Sequence, residues 1–426
     1  MHNRIHVLDF LRGIAVLGIL IINIESFAYS APFNPYLYGY FSEFDTTVRF
    51  AIYWLAQGKF FALFLILFGI SFYLMLEKSS EKAFLEKTPL EKNSPMLFYS
   101  IYTRRLFFLF LIGTAHCYLI WSGDILHHYA ICALLLLATR SFSQRALILF
   151  SLVLVSILLF NASQQALNRS SLEHAYQVAK ATPSAERTTK MERQITSWER
   201  RLSKRSAERF ATKQDAHQGS YLDLLTYRWN EIKIYRGELF FKSIVFDSLL
   251  LMTIGVVLFR SGIFTDYRQL PYYWTITFSL VLLGLITGYD KYTWWSFNYL
   301  NPITSVYQQS IMKLAPYIQG VSYLLLLNGC YQRFHWLKRL TLLNQVGKMA
   351  LSSYIFQSIV AGIIFYGYGF GLHNQISRSN LLFWIAGIWL LNGIFCYLWL
   401  RYFKQGPLEY WWRRWSYPQP EKAHLG

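Results

Sequence analysis

The sequence predicts an all-α, polytopic membrane protein of about ten transmembrane helices with a charged helical extracytoplasmic insert. Three observations carry this. Apolar runs of spanning length, about 20 residues each, recur along the chain. Of 426 residues 54% are hydrophobic and only 15% charged, well below the roughly 25% charged residues of a soluble domain. Lys and Arg gather at the ends of the apolar runs and in one long polar stretch, so the net charge of +18 reads largely as membrane topology. No separate basic domain stands out, which argues against nucleic acid as a partner.

The first apolar stretch, Leu8–Phe27, can cross a bilayer as a helix, yet it contains Asp9, Arg12, Asn23 and Glu25. Steps of three and eleven residues return to nearly the same helical angle, so Asp9, Arg12 and Asn23 fall close to one face. Arg12 and Asn23 then stand about 16 Å apart along the axis. A charge facing lipid costs at least ~2.5 kcal/mol, so this seam is expected to face protein or an aqueous cavity. The competing reading is a cleaved signal peptide ending at Ser30-Ala31-Pro32. Asp9 and Arg12 interrupt the region that should then be purely apolar, and many more spans follow.

An aromatic loop, Ala31–Glu43, leads to a second helix over about Thr47–Glu77. After a Lys-rich loop over 78–99, the third helix covers about Tyr102–Trp121, opened by Arg104 and Arg105. The turn Ser122-Gly123-Asp124 precedes the fourth, Ile125–Thr139, and the fifth ends near Phe160. In the following insert Met191, Ile195, Trp198 and Leu202 recur at helical spacing, which predicts an amphipathic helix or helical hairpin. A disordered loop is the alternative there. Helices six to ten follow over about Phe240–Phe259, Tyr272–Tyr289, Tyr317–Cys330, Gly347–Tyr368 and Leu381–Tyr402. Trp294, Trp295, Asn301 and Pro302 suit an interfacial or partly re-entrant loop. The chain thus divides into membrane helices 1–5 (residues 1–160), the extracytoplasmic insert (161–238), membrane helices 6–10 (239–403) and a basic, Trp-rich cytoplasmic tail (404–426). With the N-terminus in the cytoplasm, the short Lys/Arg-rich loops and the tail all fall inside. No inverted repeat or pair of broken helices stands out.

Ionisable residues within membrane helices are functional candidates by default. His116 is the one histidine deep in an apolar run. A pKa of ordinarily about 6.5 suits it to act as a general base; packing between helices is the competing role. Asp124, eight residues on, could orient His116 and also cap the fourth helix. Arg12 is either a phosphate contact or an anchor whose guanidinium reaches the headgroups. Lys59 could likewise reach outward. Asn23 and Gln357 could supply hydrogen bonds, and Ser352 and Ser353 lie a turn below Gln357. Cys117, Cys132, Cys330 and Cys396 have no paired spacing and look like small buried hydrophobes. No zinc or haem ligand spacing is present, so no metal is expected, and there is no nucleophile elbow. Gly367-Tyr-Gly-Phe-Gly371 lacks the context of a nucleotide loop.

Leu8-Asp-Phe-Leu-Arg-Gly-Ile-Ala15, Gly58-Lys-Phe-Phe-Ala-Leu-Phe64, Gly123-Asp-Ile-Leu126, Val346–Ser358 and Gly406-Pro-Leu-Glu-Tyr-Trp-Trp-Arg413 together resemble the DUF418 (YeiB-like) family of bacterial inner-membrane proteins. Through its opening helix that family is similar to the transmembrane acyltransferase superfamily, which includes the acyltransferase-3 O-acetylases and the heparan-α-glucosaminide N-acetyltransferase group. The resemblance implies transfer of an acyl group from cytoplasmic acyl-CoA to an acceptor, usually a sugar, across the bilayer. The acyltransferase-3 signature places a histidine eleven residues after its arginine. Here Asn23 stands eleven residues after Arg12, so the base must come from elsewhere, and His116 is the candidate.

The expected function is therefore a transmembrane acyltransferase of the bacterial inner membrane. Arg12 would hold acyl-CoA phosphates, His116 would be the base, and Asp124 would orient it. Asn23, Lys59 and Gln357 would bind substrate. Acyl-CoA enters as a co-substrate, not as a tightly bound cofactor. The expected partners are the lipid bilayer and an envelope glycan or lipid-linked acceptor. The alternative is a transporter or flippase using the same polar seam as its path; a scaffold that docks through the insert is a third reading.

Overall fold

A backbone in hydrocarbon must satisfy its own N–H and C=O groups, and among the described residues the apolar runs do so as helices. The structure, a computed structural model, describes residues 5–32, 38–85, 94–203, 207–239, 244–297 and 305–417. Among the described residues it is all-helical. Asn301 and Pro302 of the expected re-entrant loop and part of the 78–99 loop lie outside them, whereas Trp294 and Trp295, expected in that same loop, are helical.

The elements run in order as α1 (His6–Ala28), α2 (Glu43–Leu55), α3 (Lys59–Leu85), α4 (Ser94–Ala115), a π turn (His116–Ile120), α5 (Leu126–Leu136) and α6 (Gln144–Ala181). Next come α7 (Thr189–Ser203), α8 (Ala207–Gln218) and α9 (Tyr221–Leu239). The second half holds α10 (Val245–Arg260), α11 (Tyr273–Phe297), α12 (Val306–Arg333), the short α13 (His335–Lys338), α14 (Thr341–Lys348), α15 (Ala350–Phe365), α16 (Leu381–Tyr402) and α17 (Pro407–Ser416). Six helical stretches among the described residues are long and apolar enough to cross a membrane, or seven if α14 and α15 form one bent span. Ten spans do not follow from this: α5 has 11 residues and α10 has 16, and α11 is diluted by Tyr, Trp and Thr.

The seventh expected helix runs on to Phe297 and the eighth begins at Val306, eleven residues before the expected Tyr317, and three further boundaries are corrected. The second predicted helix is two, because the chain turns at Ala56–Gly58, where Gly58 takes a φ of +82° that suits a residue without Cβ. The fifth does not end at Phe160 but runs unbroken to Ala181. At about 57 Å it far exceeds the roughly 30 Å hydrocarbon core and carries the insert's first turns. The ninth is broken at Met349, where α14 and α15 meet at 90°, which is one broken span among the described residues.

α1 is the hub, its core residues buried against α3, α14 and α15. Glycines permit the closest crossing. A Cβ on Gly347 would collide with the Asp9 carbonyl, and one on Gly13 with the Leu343 carbonyl. The insert is helical, as its periodicity predicts: Trp198 of α7 is buried and stacks on Tyr176 of α6 at 5.8 Å.

Candidate functional site

Where α4 ends, the helix widens into the π turn, closed by Trp121 N–H donating to the His116 carbonyl at 2.8 Å. Such turns recur at functional sites. His116 opens the turn and is 1% exposed. Its Nδ1 lies 2.9 Å from Asp124 Oδ1. Asp124 precedes the N-cap of α5, Ile125, and its Oδ2 accepts the N–H of Leu126, the first helical residue, at 2.9 Å, so orienting His116 coexists with satisfying one free donor at the helix start. Oδ2 also lies 3.1 Å from His127 Nδ1, and Tyr354 donates its hydroxyl to Oδ1 at 3.2 Å. The Tyr354 ring sits 5.1 Å from the His116 ring.

This arrangement sets the tautomer. A carboxylate facing Nδ1 takes its proton as a hydrogen bond and leaves the lone pair on Nε2. His116 Nε2 is buried and has no hydrogen-bond partner among the described residues. The Tyr129 hydroxyl and Gln357 Nε2 are orphaned in the same way. Buried polar atoms are nearly always paired, so orphans call for an explanation.

A cavity of about 270 Å³ is lined by Tyr354, the partner of Asp124, though not by His116 or Asp124 themselves. Its lining includes four cationic side chains, Arg12, Arg105, Lys348 and Arg413, against one carboxylate, Glu409. They come from α1, α4, α14 and α17. Along α3 the lining extends from Met75 to Phe64, about 16 Å at the helical rise. Leu109, Leu126, Phe64 and Phe68 make it apolar, and Tyr354 reaches it as well. Tyr354 therefore touches both the cavity and the His116–Asp124 pair.

Local structure explains how the cations converge. Arg12 spans Asp9 Oδ1 at 3.2 Å and Ser71 Oγ at 2.8 Å, which fixes its guanidinium between α1 and α3. Arg105 stacks on Trp412 at 4.3 Å, and Trp412 Nε1 donates to the Arg105 carbonyl at 2.7 Å, drawing α17 back onto α4. Glu409 accepts the Leu351 N–H at 2.8 Å and the Ser352 N–H at 3.1 Å, satisfying orphan donors at the start of α15.

Of the predicted site residues only Arg12 lines the cavity; His116, Asp124, Asn23, Lys59 and Gln357 lie off its lining. Gln357 is buried one turn along α15 from Tyr354, and Asn23 is half-buried near the far end of α1. Lys59 does not reach outward. It is fully buried, with Nζ donating to the Tyr53 carbonyl at 2.8 Å and lying 4.2 Å over the Tyr292 ring. Ser352 serves the α15 cap, and Ser353 Oγ meets Cys396 Sγ at 3.2 Å. Sequence reasoning missed Tyr354, Lys348 and Glu409. Arg105 and Arg413 carried a signal as charges at segment ends, though not for a shared cavity. It also missed the buried pair of Arg378 Nη1 and Glu25 Oε2 at 2.7 Å, joined by the Tyr53 hydroxyl.

Residues 258–419 match the model of a family described as a protein of unknown function (DUF418). The chain is 27% identical over 417 residues to the uncharacterised protein YeiB of Escherichia coli (strain K12), covering 96% of this chain and 94% of that one. It is 26% identical over 439 residues to the uncharacterised protein YxaH of Bacillus subtilis (strain 168), with 98% and 95% covered. No solved structure matches.

Proposed function

The chain belongs to the DUF418 (YeiB-like) family, and from that premise, with the basic cavity beside a buried base, we propose that it is a transmembrane acyltransferase. The observation that carries the reading is a single cavity that joins four cations to Tyr354, and through Tyr354 to His116 and Asp124. Acyl-CoA has this profile: phosphates suited to Arg12, Arg105, Lys348 and Arg413, then a thin chain ending in a thioester. The phosphates would sit at the cationic end and the thioester near Tyr354.

His116 Nε2 takes the proton of an acceptor hydroxyl or amine while that oxygen or nitrogen attacks the thioester carbonyl. The C–S bond breaks, and the coenzyme A thiolate leaves with the proton returned by the imidazolium. Asp124 keeps the imidazole in the required tautomer and stabilises its charged form. Gln357 Nε2, one turn along α15 from Tyr354 and without a partner among the described residues, is the candidate donor to the acyl oxygen once the acyl end passes Tyr354. The acceptor is an envelope glycan or a lipid-linked sugar approaching from the side on which α8 and α9 lie. A cationic cavity end suits the cytoplasmic leaflet, which supports the reading of both termini as cytoplasmic in a bacterial inner-membrane protein.

The test is binding of acetyl-CoA and longer acyl-CoAs to the purified protein, wild type beside Arg12→Ala. Saturable binding, weakened about tenfold by the substitution, is expected for loss of one charged contact. Folded protein that binds no acyl-CoA would overturn the reading. It would favour the transporter or flippase alternative, for which the 90° break between α14 and α15 speaks.

A further inference from the structure

We propose that the insert holds the base in place: Arg228 and Tyr221 of α9 clamp the π turn that carries His116 and act as positioning residues for it. The role of His116 as a base rests on the acyltransferase reading; the clamp itself does not.

The last carbonyls of a helix have no partners within it, and a π turn shifts which ones are left over. One of these, the Leu119 carbonyl, receives two hydrogen bonds from the insert, from Arg228 Nη1 and from the Tyr221 hydroxyl, each at 2.9 Å. A cation there also favours the negative end of the helix dipole. The preceding residue is held too, since the Tyr118 ring lies 4.8 Å from the Trp229 ring. Arg228 is 2% exposed, with its guanidinium 5.2 Å over the Tyr366 ring, so the arginine side of the clamp is buried while Tyr221 closes it from the exposed side. His116 lies three residues before Leu119, within the same turn. Relaxation of the turn to the α register would alter the path of the chain between His116 and Asp124.

A second anchor sets where α9 can sit. At the end of α8, the His217 carbonyl accepts the Gly367 N–H at 2.8 Å, and the His217 ring stacks on His373 at 4.8 Å. A Cβ on Gly367 would strike the Gln218 carbonyl, so this approach requires glycine. His373 in turn pairs through Nδ1 with the Phe27 carbonyl at 2.7 Å and through Nε2 with Ser30 Oγ at 2.9 Å, at the end of α1. The insert is thereby tied to α1, to the π turn and to the loop after α15. These elements, with α5, frame the His116–Asp124 pair.

The experiment is nitrogen-15 NMR of the full-length protein, histidine-labelled, in nanodiscs. The His116 resonances are assigned by their loss in His116→Gln. Wild type should show a fixed Nδ1–H tautomer. Arg228→Gln should lose it to tautomer exchange, Tyr221→Phe should shift it in the same direction, and Arg228→Lys should restore it. Acyl transfer should fall about 100-fold in Arg228→Gln, the cost of an ångström-scale misplacement, with acetyl-CoA affinity unchanged. An unchanged His116 signal in folded Arg228→Gln overturns the clamp. Should that variant not fold, an unchanged signal in Tyr221→Phe, altered at the exposed end of the contact, overturns it equally. Absence of acyl-CoA binding would remove the acyltransferase reading and leave this result to be decided by the tautomer alone.

Discussion

At the scale of single residues, His116 and Asp124 should behave as a unit. His116→Gln removes the base, and Asp124→Asn removes the carboxylate that selects the tautomer. Each is expected to lower acyl transfer by at least about 10²-fold, by analogy with orienting carboxylates elsewhere. Acetyl-CoA binding should stay intact, because neither side chain lines the cavity. Full activity in either folded variant, followed as coenzyme A release, would refute the assignment. The Glu25–Arg378 pair makes a different prediction. Both side chains are buried, at 2% and 1% exposure, so Glu25→Gln leaves a guanidinium without its charge partner. Removing one member of such a pair costs about 3–5 kcal/mol. The expected readout is a clear fall in thermal midpoint in detergent, and a variant as stable as wild type would contradict it.

Between elements, the decisive contact is the crossing of α1 and α14. Gly347 meets the Asp9 backbone, one turn from Arg12, with no room for a side chain. Gly347→Ala must push the helices apart, and overpacking of this kind costs roughly 1–3 kcal/mol. It should weaken acetyl-CoA binding as well as stability, because Arg12 and Lys348 flank the crossing and both line the cavity. Normal affinity in this variant would separate the crossing from the cavity. The crossing also shows why the cavity was hard to read from sequence. His116 was legible because it is a lone histidine in an apolar run, and Asp124 because it lies eight residues away. Arg105 reads locally as a charge at a helix end, and Arg413 as part of an interfacial belt. Only the return of α17 onto α4, through Trp412, gives those two charges a common cavity.

For the molecule as a whole, docking of the insert should depend on pH. His373 lies in the loop after α15 and His217 in the insert. Burial holds both below the ordinary histidine range, pushing His373 down to about 4, and the nearby Lys213 adds to the effect on each. Arg228 of α9 opposes protonation of His217 as well. A histidine kept neutral when folded binds its proton more readily once released. Its contribution is therefore complete above about pH 6.5 and is lost as pH falls toward 4. For His373 this amounts to roughly 3 kcal/mol. Hydrogen exchange over α8 and α9 is expected to rise across that interval while α1 stays protected. Constant protection of the insert from pH 7 to pH 4 would rule out this dependence.

The sequence by itself determined the helical membrane class, the helical insert and the residue types worth suspecting. These follow from hydropathy, charge placement and periodicity, which act within about twenty neighbouring residues. The break between α2 and α3 and the extension of α6 to Ala181 were harder to see, because apolar composition neither marks a turn nor stops a helix at the membrane surface. Tertiary structure alone decided which charges meet, that Lys59 is buried against Tyr292, and that an insert more than a hundred residues downstream holds the turn carrying His116. Those outcomes depend on how closely helix backbones approach. That distance is set by glycines and capping carboxylates on elements far apart in the chain, where no local pattern reports it.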